Sequence, residues 1–547
     1  MPLAPPSAAT AAPVAREADL LASANWRRNV AALAQTQPDV LARIERAEAR
    51  VAWLFARDGA LTAQDADRSW WAGCSVPAAA AKAMLKSFAC SGTVGCFLRP
   101  PSAAAVRVAL DKLRANQALL AIVPDVYAAW VMLHCEEFAA DLRGNRLWLV
   151  VGDAWEAQLG ALLRDREGLP IPSQFIRVSD GTEELAEAMI PPAQRVFSDV
   201  THQRAAAMGP LLDDRPAAAS STACVFTPSH FRLWDDAGHE LATLAGQLGW
   251  TQVDPDDPAS ASPLAVARAA SHCGAMVTAN LARADLPNVM ALSTPWVTWL
   301  TGPRVPAFAG AGPRDALIVA DPAWRIAALA GGWPVPRVHV ATWPTANVPP
   351  ATKGPLLILA DLRPLDPPAE IVEMSSHRLL WESIADELTR EPFAIGSSIL
   401  EYLQSRMRRI NIATGAMNQR RFIDELIVPA CARGLAELLR RNGLPIRCAG
   451  EGWDTVEMLK PVSSGTMTTR EEFANAVAAS AALVHVLPTT CCHPIGFQNR
   501  PVVYASRGRE AFLREARAAA AGKLQVQRCS TPALSASFLA DVLNAIR

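Results

Sequence analysis

Four loops of this chain hold residues whose types and spacing suit ligand binding or proton transfer, and each follows a short apolar run. After Ile446–Ala449 comes Gly450-Glu451-Gly452-Trp453-Asp454. Glycines there let the backbone turn and approach a neighbour closely. The neighbour is either a bound ligand or, in the plainer reading, the protein itself, with a glycine turn over a buried Trp. After Leu483–Leu487 comes Cys491-Cys492-His493-Pro494-Ile495-Gly496-Phe497-Gln498-Asn499-Arg500-Pro501, leading into a further run that ends at Tyr504. A polar loop between two late strands of a parallel sheet lies where ligands bind, beyond the strands' carboxyl ends. His230 stands four residues past Cys224–Phe226, with Asp235 and Asp236 close behind. A His oriented by a carboxylate is suited to taking a proton near pH 7; a purely structural loop His is the alternative. Arg363 follows Leu356–Ala360 and is flanked by Asp361 and Asp366. It reads as a cation for an anionic leaving group or as one half of a surface salt bridge, with Arg420 and Arg421 as rivals. Other chemistries lack their residues: the sequence has no phosphate loop G-x-x-x-x-G-K-[ST], no H-E-x-x-H and no G-x-S-x-G.

The elements that must position these loops alternate. Amphipathic periodicity predicts a helix over Ala24–Ala49. Strands are predicted at Gly95–Leu98, Leu119–Val123 and Leu147–Gly152, and a long helix over Thr182–Met208. Then come strands at Cys224–Phe226, Ala275–Ala279, Val289–Leu292, Ala316–Val319 and Val338–Val340, with a helix stopped at Gly249. Trp343–Lys353 holds three prolines and reads as a linker. Beyond it follow strand Leu356–Ala360, a helix opened by the capping box Ser398–Glu401, and a helix from Gln419 to Arg441 interrupted at Pro429 and stopped by Asn442-Gly443. Strand Ile446–Ala449, a helix capped by Thr469 and Glu472, strand Leu483–Leu487 and a final amphipathic helix Ala533–Arg547 complete the chain. Strands alternating with helices predict α/β architecture with parallel sheets covered on both faces.

Length and composition narrow the class. At 547 residues the chain exceeds one core and calls for two to four domains. An apolar fraction of 51% and a charged fraction of 19% are globular values, so disorder is expected only in the Ala- and Pro-rich residues 1–20. A net charge of −1 argues against nucleic acid or anionic membrane as partner. No apolar run is long enough to span a bilayer, and the first residues lack a secretory pattern. Eleven scattered cysteines, without paired C-x-x-C spacing, suggest reduced thiols and a cytoplasmic location rather than a disulfide framework or structural zinc.

The order strand, Gly450–Asp454 loop, capped helix, strand, Cys491–Pro501 loop, strand resembles the nucleotide-sugar half of bacterial glycosyltransferases with two facing Rossmann-like domains, the GT-B architecture. The likeness is to the spore-maturation (CgeB-like) family and covers residues from about 215 to the end. A second, short likeness, Asn25-Trp26-Arg27-Arg28-Asn29-Val30-Ala31-Ala32-Leu33, is to the opening of motility-associated glycosyltransferases that modify flagellin. The resemblance implies an N-terminal α/β accessory domain (21–210), a first Rossmann-like domain on the acceptor side (211–345) and a second on the nucleotide-sugar side (346–547), with the last helix crossing back onto the first. It implies glycosyl transfer from a nucleotide-sugar to a protein or cell-surface glycan, flagellin being one candidate acceptor. No metal or other cofactor is implied. Donor contacts fall to Arg363, Gly450, Gly452, Trp453, Asp454, His493, Phe497, Gln498 and Asn499, and catalysis to His230 with Asp235. The sequence departs from the family twice. Gln498 stands where a Glu grips the donor ribose, and Trp296-Val297-Thr298-Trp299 lacks the acidic residue of a W-x-x-D strand. These departures keep open an alternative, a catalytically degenerate GT-B protein that serves as a binding or assembly partner.

Overall fold

The computed structural model describes residues 8–547 except 48–49, 72–73, 91, 115, 179–182, 214–221, 228–235, 256, 287–288, 303–304, 343–352, 363, 373, 397–398, 414–416, 418, 468, 487–500, 506–507, 525–531 and 547. The chain divides into two compact units, Met1–Asp213 with Asp254–Ala269, and Asp214–Val253 with Ala270–Arg547. Among the described residues, no helix is long and apolar enough to cross a membrane. The architecture is α/β: Rossmann-like parallel sheets flanked by helices.

In the first unit a hairpin, β1 (Ala52–Phe55) and β2 (Leu61–Gln64), precedes a parallel sheet of β3 (Val94–Leu98), β4 (Ala118–Val123), β5 (Leu147–Val151) and β6 (Gln174–Ile176), in the order β5-β4-β3-β6. Every residue of β3, β4 and β5 is buried, as expected of parallel strands covered on both faces. The edge at β5 is closed by one side chain. Gln37 donates from Nε2 to Leu147 O (2.9 Å) and accepts from Leu149 N (2.8 Å), imitating a neighbouring strand. The helix expected over Ala24–Ala49 is two helices, Ala8–Thr36 and Pro38–Ile44. Pro38 drives Gln37 out of the helical region, to φ −142°. That break is what frees Gln37 for the sheet. The expectation of disorder through residue 20 is corrected, because Ala18 is fully buried with Ala22 and Leu61.

The second unit holds two parallel sheets. The larger has β7 (Cys224–Phe226), β8 (Thr251–Val253), β9 (Met276–Ala279), β10 (Trp296–Leu300), β11 (Ala316–Val319) and β12 (Val338–Val340), in the order β12-β11-β10-β9-β7-β8. The smaller has β13 (Leu356–Leu359), β14 (Ile446–Ala449), β15 (Ala482–His485) and β16 (Val502–Tyr504), in the order β14-β13-β15-β16. The final helix, Ala536–Ile546, lays Leu539, Val542, Leu543 and Ile546 into the core of the larger sheet. Just before it, Ala533 bridges to Thr342, with Leu534 N donating to Thr342 O at 2.7 Å.

Two further expectations are corrected. Val289–Leu292 is not a strand. Arg283, 6% exposed, pairs with Asp315 (2.8 Å) and donates to the carbonyls of Ala291 and Thr294, which holds this apolar run as a loop before β10. The helix from Gln419 passes through a π turn at Ile423–Ile427, where Val428 N bonds back to Ile423 O. Pro429 has no N–H to give the regular ladder, and a bulge absorbs the mismatch. The Thr469 capping box is present, with Glu472 N donating to Thr469 Oγ1 at 3.2 Å. Gly443 ends its helix at φ +70°.

Candidate functional site

Strand order locates the crevices. In the smaller sheet the chain leaves β13 for β14 on one side and returns to β15 on the other, so strand order reverses between β13 and β15. In the larger sheet the reversal lies between β7 and β9. The carboxyl ends of such strand pairs are where open parallel sheets take ligands. The connections that leave them include residues 228–235 after β7 and 487–500 after β15. His230, Asp235, Arg363, His493, Phe497, Gln498 and Asn499 all lie outside the described residues.

Gly450, Gly452, Trp453 and Asp454 are described, and their arrangement is definite. Beyond the ends of β13 and β14 the two chains stay zipped. Ala360 N donates to Ala449 O (3.1 Å) and Leu362 N to Glu451 O (2.8 Å). Glu451 N donates to Asp361 Oδ1 (2.8 Å). Gly450 has φ +131°, and a Cβ there would meet Ala360 O at 2.1 Å; Gly452 has φ +82°, and its Cβ would meet Leu362 O at 2.0 Å. Both positions therefore need glycine on two counts, conformation and space. Trp453 is fully buried and donates from Nε1 to Ala360 O at 2.6 Å. The close approach foreseen for these glycines is thus made to protein backbone, and the Trp is a core residue. Asp454 and Glu451 remain exposed on the outer side of this turn. Asp361 is committed to the Glu451 amide, and Asp366 is exposed.

The larger sheet has a corresponding tie that no sequence motif marks. Asn280 follows β9 directly at φ +56°, a conformation that Asn tolerates better than most residues. Its Oδ1 accepts from Thr301 N (2.8 Å) and Gly302 N (3.2 Å), and its Nδ2 donates to Thr301 Oγ1 (2.8 Å). The available signal was an Asn directly after a short apolar strand. At the end of β15, His485 is 4% exposed and lies beside its register partner Tyr504, ring centroids 5.6 Å apart.

The position where the family's W-x-x-D strand has its acid is Trp299. It lies in the core of the larger sheet, fully buried, with Nε1 donating to Ala341 O at 3.3 Å. All five residues of β10 are buried. That departure therefore concerns packing and not a cleft-facing position.

No protein-family model matches the sequence, and no curated protein matches it. A solved structure of MAf glycosyltransferase from Magnetospirillum magneticum AMB-1 is similar over 55% of this chain and 54% of its own, with 12% sequence identity and a TM-score of 0.26. The match thus spans about half the length of that protein.

Proposed function

We propose that this protein is a glycosyltransferase of GT-B type that moves a sugar from a nucleotide-sugar to a protein or cell-surface glycan. The observation that supports the reading is the strand reversal between β13 and β15, because open parallel sheets take ligands at the carboxyl ends of such strand pairs. The zipper from Ala360 to Trp453 closes the other side of β13. In this reading Asp454 and the loop residues Arg363, His493, Phe497, Gln498 and Asn499 contact the donor. Gly450, Gly452 and Trp453 hold the turn that carries Asp454. Arg363 offsets charge on the departing diphosphate. His230, oriented by Asp235, takes the acceptor's proton from the loop after β7. The residues 21–210 select the acceptor, flagellin being one candidate. No metal or further cofactor enters.

A second reading is a degenerate transferase that binds without turnover. Gln498 favours it, because an amide holds a ribose diol less strongly than a carboxylate does. One experiment separates the two. Melting temperature is measured with UDP, GDP, CMP and their common sugar conjugates. A rise with one nucleotide class, lost in Gln498→Ala, supports the transferase site. No rise with any member removes the donor assignment and leaves the partner reading.

A further inference from the structure

The first unit has a cavity of its own at the carboxyl ends of β3 and β4. Its walls come from the residues after β3, the end of β4, the helix Val126–Cys135, and β2 with Trp71. Arg99 N donates to Ile122 O (2.9 Å) at the end of β3, and the two prolines that follow cannot extend the ladder. They lead instead into the helix Ala103–Asp111. About 40 Å³ of the cavity is open to the centre of a water molecule. Taken as a sphere and enlarged by a water's radius, that is about 180 Å³, close to the ~150 Å³ cavity that takes benzene. Leu61, Val123, Val131 and Met132 make the wall apolar, and none of the described residues that line it is charged. Cys135 also lines it, and burial pushes its thiol up to about 12, so it stays neutral.

Two polar features break this apolar wall. Thr62 is 3% exposed, and no hydrogen bond joins its hydroxyl to any described residue. Its oxygen is not sealed off, and the cavity is the space it opens onto. A hydroxyl buried so deeply without a partner is costly unless a ligand or water completes it. The second feature is the amino end of the Ala103–Asp111 helix. Ser102 spends its hydroxyl on Ala105 N (3.1 Å), so the amides of Ala103 and Ala104 have no acceptor among the described residues. Both residues line the cavity. Free first-turn amides and the helix dipole favour an anion there.

We propose that this cavity binds a small aromatic carboxylate, with its ring among the apolar side chains and its carboxylate at the Thr62 hydroxyl and the first amides of the Ala103–Asp111 helix. The ring is set by the size and apolarity of the space. The single charge is set by the donors. A hydroxyl and two amides suit one carboxylate, whereas a phosphate dianion calls for a cation that the wall does not supply. The site lies within the first unit and is independent of the proposed transferase site.

The test uses the full-length protein, with benzoate as probe and benzene and phenyl phosphate as comparators, read by calorimetry and saturation-transfer NMR. Benzoate should saturate one site and bind more tightly than either comparator. Thr62→Val keeps the side chain's shape and removes its donor. It should weaken benzoate about fivefold or more and leave benzene unchanged. Ala128→Leu, which fills the cavity from the Val126–Cys135 helix, should abolish both. The wild-type ranking stands whether or not either variant folds. No saturable benzoate binding would overturn the proposal, as would benzene or phenyl phosphate binding as tightly as benzoate. Benzoate affinity unchanged in a folded Thr62→Val or a folded Ala128→Leu would overturn it too, by placing the probe elsewhere.

Discussion

In the six-stranded sheet, the strand ends beside the reversal are tied to their neighbour by one side chain, Asn280, reaching from β9 to the residues after β10. In the four-stranded sheet the same task falls to backbone, with two glycines and an indole fastening the end of β13 to that of β14. In both cases the tie faces away from the strand pair where the order reverses. The difference is in tolerance. A side-chain clip can be removed while the backbone path survives. A backbone zipper that needs glycine at 450 and 452 admits no other residue without moving Ala360 or Leu362.

The largest expected effect therefore comes from the zipper. Gly450→Ala and Gly452→Ala each force a Cβ into a carbonyl oxygen at a positive φ, and Trp453→Ala empties a core position and strands Ala360 O. Each should cost about 3–5 kcal/mol, read as a lowered midpoint in urea unfolding. A loss below about 1 kcal/mol in all three would end the contrast between the two sheets. Next comes Asn280→Ala, which removes three hydrogen bonds and should cost about 1–3 kcal/mol. Asn280→Gly separates the causes. It keeps the left-handed backbone, so a cost as large as that of Asn280→Ala assigns the effect to the clip, and recovery assigns it to conformation. The smallest effect on stability belongs to Asp454→Asn. The carboxylate is exposed, and the midpoint should stay within about 0.5 kcal/mol of wild type. The same variant sharpens the functional side, because the nucleotide-induced rise in melting temperature should shrink if Asp454 faces the donor. An unchanged rise would confine Asp454 to the outer surface of the zipper.

How much of this was legible in the sequence depends on how local each cause is. Strands β3, β4, β5 and β11 announce themselves as continuous apolar runs because both of their faces are covered. Strand β8, Thr251-Gln252-Val253, has two exposed residues in three and no such run to read. Val289–Leu292 looked like a strand because apolarity is visible in sequence. The Arg283–Asp315 pair that captures its carbonyls joins residues 32 apart. The Gly-x-Gly-Trp turn was legible as a turn over a buried Trp. What its glycines make room for was not, since Ala360 lies far upstream and only the paired strands bring it close. Asn280 escaped notice because an amide at a strand end has no motif, only a geometry. Of the candidate site, four residues are described; contacts define the roles of Gly450, Gly452 and Trp453, and Asp454 is exposed. The loops that hold His230 and Gln498 rest on strand order and sequence.

The first unit is completed by residues that arrive late. After β8 the chain leaves the larger sheet, and Asp254–Ala269 packs with the first unit before β9 resumes. Ser262 N donates there to Gly168 O at 2.9 Å, and a Cβ on Gly168 would meet Ala259 O at 1.7 Å. The surface of the first unit is therefore complete only once residue 269 has been made. By then β7 and β8, which belong to the other unit, are already outside and unpaired on one side. The two units are interleaved along the sequence, and a protein cut or expressed at residue 213 would separate the first unit from part of its own surface.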